Sequence, residues 1–81
     1  MVNNDVYKNY AEELGNLMKE YAREAKERRN LADDPMSREH MTGYVMGYHR
    51  ILSLMIQQAD GMLIPLKELG LDDIDPDEEL V

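Results

Sequence analysis

The sequence predicts an all-α protein: an antiparallel two-helix hairpin with a short C-terminal helical turn, pairing with a second copy into a four-helix bundle. Three observations predict it. Apolar residues recur every three or four positions through two stretches, residues 5–32 and 36–63. One Asp-Pro break, Asp34-Pro35, separates them. The second stretch carries an apolar arc wider than one partner helix can cover.

The first helix is written in Tyr7, Tyr10, Ala11, Leu14, Leu17, Met18, Tyr21, Ala22 and Ala25, whose spacing keeps them on one side of a 3.6-residue turn. Asn3, Asn4 or Asp5 can cap its start by accepting a hydrogen bond from a free amide of the first turn. Glu20, Arg23, Glu24, Glu27 and Arg28 form the outer face. Arg23 with Glu27, and Glu24 with Arg28, are i, i+4 pairs worth a few tenths of a kcal/mol each. Gly15 costs up to about 1 kcal/mol relative to alanine inside a helix. Either a neighbour approaches closely there or the cost is simply tolerated.

At Ala32-Asp33-Asp34-Pro35 the helix must stop, because proline lacks an amide donor and pushes the preceding residue out of the helical region. Asp34 is then the natural cap for the next helix. So short a loop joins antiparallel neighbours. Along the second helix Met41, Tyr44, Val45, Tyr48, Leu52, Met55, Ile56, Ala59, Met62 and Leu63 make one wide stripe, with Ile51, Leu54, Gly43 and Gly47 beside it. The first helix takes one side of this arc. Something else must take the other.

Gly43 and Gly47 stand four apart on the flank of the arc, the small-xxx-small spacing that lets two backbones come close. The competing reading is that they relieve crowding around Tyr44 and Tyr48. After the helix, Pro65 and Gly70 bracket a short helical turn, and Leu66 and Leu69 can fold back on the bundle end. Leu71 and Ile74 continue that contact as a strap, with fraying expected beyond Pro76. The chain divides on this reading into a hairpin domain, residues 1–71, and an acidic C-terminal tail, residues 72–81.

The net charge is −8, but Asp72, Asp73, Asp75, Asp77, Glu78 and Glu79 supply six negative charges without a base, so the remainder carries only −2. Such a balance offers no basic face for a phosphate backbone, and a nucleic-acid partner is not expected. Apart from glycine and proline, the longest apolar runs are three residues, so no membrane span is expected either. With no cysteine there are no disulfides or thiolate metal sites, and a reducing, cytoplasmic home is the expectation. An 81-residue chain buries only about 60% of its unfolded surface, which makes oligomerisation the natural source of further stability.

Chemical motifs are missing where they would be needed. His40 and His49 lack the glutamate three positions earlier that a carboxylate-bridged metal bundle uses, and nine residues apart they point to opposite helix faces. Asp73, Asp75 and Asp77 imitate half of a calcium loop, without its turn glycine or its bidentate glutamate, and Pro76 interrupts them. Glutamates crowd the first helix, while the second has only Glu39 and Asp60 at its ends, so a two-helix magnesium site fails. No lysine follows His40 or His49 as a phosphoacceptor histidine would need, and Ser37, Thr42 and Ser53 have no base beside them. The expectation is a non-enzyme with no metal and no cofactor.

What is left is surface. Tyr21, Tyr44 and Tyr48 should stand at one height in the hairpin, with Met18 and Met46 nearby, and tyrosine and methionine are favoured at interfaces. The expected role is a small homo-oligomeric adaptor, regulator or inhibitor that acts by binding itself and a protein client. Tyr21, Gly43, Tyr44, Gly47, Tyr48, Ile51, Leu54 and Met55 are its candidate interface. The alternative is a small-ligand or nucleotide binder, in which Tyr44 and Tyr48 stack on a base while His49 and Arg50 meet an anion.

Overall fold

The computed structural model describes residues 4–81. It is all-helical, with no strand among the described residues. Helices α1 (Asn4–Leu31) and α2 (Pro35–Gly61) form the hairpin, followed by a 3₁₀ turn (Leu66–Leu69) and one more helical turn, α3 (Pro76–Glu79). The molecule measures 53 × 22 × 16 Å, a slab two helices wide.

Local chemistry sets each boundary. Asp34 is extended and its carboxylate accepts from the Ser37 amide at 3.0 Å, with Pro35 in the first turn. Hydrogen bonding from the Ser37 side chain, and then from its amide, favours the charged form and holds the Asp34 carboxyl below its ordinary value. At the other end of α2, Leu63 takes a left-handed backbone with φ 57°. The Ile64 amide then reaches the Ala59 carbonyl at 2.8 Å and the Leu63 amide the Asp60 carbonyl at 3.2 Å, which closes the helix as a Schellman turn. Leucine there costs about 1 kcal/mol that glycine would not. This closure stops α2 at Gly61, so Met62 and Leu63 lie past its end rather than inside the 36–63 expected. α1 begins at Asn4, and Asn3, a candidate cap, lies outside the described residues.

The core joins three segments. Ala22 and Ala25 come from α1, Val45 and Leu52 from α2, and Leu71, Ile74 and Leu80 from the stretch after the 3₁₀ turn. That last stretch runs beside α1 in the same direction, held by its cations. Lys19 Nζ donates to the Gly70 carbonyl at 2.7 Å and to Asp73 Oδ1 at 2.6 Å. Arg23 donates to the Asp73 carbonyl at 3.0 Å and to the Glu79 carboxylate at 3.2 and 3.4 Å. Arg29 donates to the Val81 carbonyl at 2.7 Å. From α2, His49 Nε2 lies 2.9 Å from Asp77 Oδ1.

Two expectations are corrected here. Fraying beyond Pro76 gives way to α3, because the Asp75 carboxylate caps it at the Asp77 amide, 3.0 Å, while Pro76 and Leu80 are buried against the hairpin. Acids that look self-repelling in sequence meet cations contributed by α1. For the same reason Arg23 turns to the strap and not to Glu27, whereas Arg28 and Glu24 do pair, at 2.7 Å. Gly15 is settled as close approach: a methyl group there would overlap the Leu69 carbonyl oxygen.

Candidate interaction surface

Each long helix divides its circumference into three. One arc faces the other helix, one lies beneath the strap, and one is bare. At about 100° per residue, Tyr10, Leu14, Leu17 and Tyr21 fall on the side of α1 away from Lys19 and Arg23, which hold the strap. Gly43, Tyr44, Gly47, Ile51 and Leu54 fall on the side of α2 away from His49. The two bare arcs adjoin and make a single face.

Its apolar content is large. Tyr10 is 67% exposed, Tyr21 51%, Tyr44 52%, Leu54 50%, Ile51 44%, Leu14 39% and Leu17 38%. At about 200 Å² for a fully open side chain these fractions amount to roughly 700 Å², against the ~800 Å² each partner gives to a standard interface. Contiguous patches beyond a few hundred Å² on a folded chain mark a binding surface.

The glycines shape this face. Beyond its own chain neighbours, a Cβ added at Gly43 or Gly47 would meet nothing within 4 Å, so each glycine opens onto free space. They leave a shallow groove of about 500 Å³ lined by Met18, His40, Gly43, Tyr44, Gly47, Tyr48 and Ile51. Next to it, a cavity of about 320 Å³ lies between the helices, with Tyr21, Tyr44 and Tyr48 around it and Arg28 and His40 at its edge. The His40 ring meets Tyr44 edge-on, centroids 5.2 Å apart.

The candidate interface residues separate into two groups. Tyr21, Gly43, Tyr44, Gly47, Ile51 and Leu54 are exposed on the bare face, while Tyr48 and Met55 are half-buried and pack against the core. Met18 joins the tyrosines, but Met46 lines neither the groove nor the cavity. The ligand quartet does not converge. Tyr44 and Tyr48 share the cavity, His49 turns to Asp77 on the strap side, and Arg50 lines neither space. Neighbours in sequence are about 100° apart on a helix, so adjacency in the chain is not convergence. The cation beside the tyrosines is Arg28, from the other helix.

The reading of the sequence missed Tyr10, Leu14 and Leu17 as surface. Their periodicity is visible in the sequence, but it does not divide the stripe into core and surface. The signal that separates them is the pair Ala22 and Ala25, which marks the true contact line of α1 about 80° away.

Among the described residues no cluster of three or more His, Asp or Glu is placed to hold a metal ion, and no helix is long and apolar enough to cross a membrane. No family model matches this chain, and no curated protein or solved structure matches it either.

Proposed function

We propose that this chain is a small helical interaction protein, an adaptor, regulator or inhibitor that acts by binding and not by catalysis, and that it works as a homo-oligomer. The observation that carries the reading is the bare face two helices wide, Tyr10 to Tyr21 on α1 and Gly43 to Leu54 on α2. A chain of this size gains much from covering such a face with a copy of itself, because the same apolar stripe then serves twice. Hairpins that pair this way build a four-helix bundle.

The test is absolute mass by light scattering behind a sizing column. The parent chain is expected above its single-chain 9.4 kDa. Leu54→Glu, which puts a charge at a half-exposed position of the face without entering the core, is expected to return the mass to one chain while helicity persists. An unchanged mass in that variant would remove Leu54 from any interface.

A second reading has its own observation, the open cavity lined by three tyrosines and by Arg28, which pairs with Glu24 there. Aromatic faces suit a planar base, and a guanidinium suits an anion. A small ligand such as a nucleotide would raise the melting temperature in a thermal-shift panel. Arg28→Ala would abolish that shift if the cavity is the site.

A further inference from the structure

The bare face is not symmetric in charge, and that asymmetry selects how a second copy sits on it. Beside the apolar stripe of α1 runs an acidic rim, Glu13 and Glu20, with Glu24 next to them paired to Arg28. Beside the stripe of α2 there is no acid at all between Glu39 and Asp60, and Arg50 stands on its outer edge. Two hairpins can stack face to face in two isologous ways: α1 over α1 with α2 over α2, or α1 over α2 on both sides. The first sets the acidic rims against each other. The second sets each acidic rim against the acid-free edge bearing Arg50, and like charges brought together oppose the first.

Resting on the homo-oligomeric reading above, we infer that the partner is a second copy whose α2 lies across this chain's α1, the two-fold axis running parallel to the helices. The levels of the side chains fit that arrangement. Within the chain, Tyr21 shares its level with Tyr44 and Tyr48, and Met18 with Tyr48 and Ile51. An axis parallel to the helices preserves those levels between copies. Leu14 then meets Leu54 of the second copy, Leu17 meets Ile51, and Tyr21 sits over the gap left by Gly47. The empty space at Gly47 takes the tyrosine ring.

The chain contains no cysteine, so introduced thiols report only on each other. Full-length Leu17→Cys carrying a mass tag is mixed with untagged Ile51→Cys, and the mixture is mildly oxidised. Tyr21→Cys with Gly47→Cys is a second pair, compared with the parent for helicity before use. The mixed disulfide is expected to dominate both mixtures, because adjacent helices pack 8–10 Å apart and small facing residues bring Cα atoms within disulfide reach. Each variant alone is expected to stay uncrosslinked, since equivalent residues then sit on diagonal helices roughly 13 Å apart. Self-crosslinking of Gly47→Cys without the mixed product would overturn the arrangement, as would no crosslink in any sample of dimeric mass. A single-chain mass for the parent would instead overturn the homo-oligomeric reading beneath it.

Discussion

At the scale of single residues, three glycines of similar appearance in the sequence do different work. Gly15 is where the 3₁₀ turn presses its backbone onto α1. Alanine there gains up to about 1 kcal/mol of helix propensity, but its methyl group must displace a main-chain carbonyl, an overpacking cost of about 1–3 kcal/mol. The second effect wins, because backbone cannot swing aside as a side chain does. Gly15→Ala is therefore expected to lower stability in a denaturant melt, and a rise would show that the turn yields freely. Gly43 and Gly47 face open space, and the proposed pairing gives that space an occupant. Propensity and spacing mark all three glycines as unusual. Only the position of the Leu69 carbonyl, 54 residues away in the chain, separates the first from the others.

At the scale of elements, the strap converts a run of acids into a fourth piece of structure. Its apolar residues, Leu71, Ile74 and Leu80, are buried, its Asp73 and Glu79 carboxylates meet Lys19 and Arg23, and Arg29 donates to the Val81 carbonyl. The helices were legible because their signal is local: every apolar position of α1 and α2 lies within one turn of the next. The strap was legible only as far as Ile74. What orders the rest is a set of cations about fifty residues earlier, and no periodicity in residues 72–81 announces them. The hydrogen bond from Lys19 holds the Asp73 carboxyl below its ordinary value of 3.8. A depressed carboxyl stabilises the fold while ionised, so this contribution is complete above pH 3.8 and disappears as the pH falls through the lower folded-state value. Followed by NMR, Asp73 is expected to titrate below 3.8 in the parent chain and to move back toward it in Lys19→Gln. Identical titrations in the two proteins would mean the Lys19 contact does not persist in solution.

At the scale of the whole molecule, the slab has one face under the strap and one bare. On the proposed self-association, that difference limits growth. A hairpin with two open apolar faces would stack on both and extend into a filament, whereas one with a single self-complementary face closes when two copies meet. Over a dilution series the mass is expected to level at twice the chain's 9.4 kDa and not to climb with concentration. Continued growth would mean the strap leaves its face. Of the candidate surface, the α2 half was legible because Gly43, Gly47, Ile51 and Leu54 exceed what one helix can cover. The α1 half was hidden, since a stripe wide enough for both a core and a surface reads as a core alone. His49 was grouped with Tyr48 by adjacency and belongs to the strap instead.

The strap also has a consequence in time. The bonds from α1 that hold it link residues 50 to 56 positions apart, such as Lys19 to Gly70 and Arg23 to Glu79, whereas the helices need only near neighbours. During synthesis both helices are therefore complete before the segment that covers one of their faces has been made. At 5–20 residues per second, residues 71–81 follow after roughly a second, long after an isolated helix has formed. For that interval the nascent hairpin is sticky on both sides. In that interval the hairpin face that Leu71, Ile74 and Leu80 cover in the finished fold has no cover of its own.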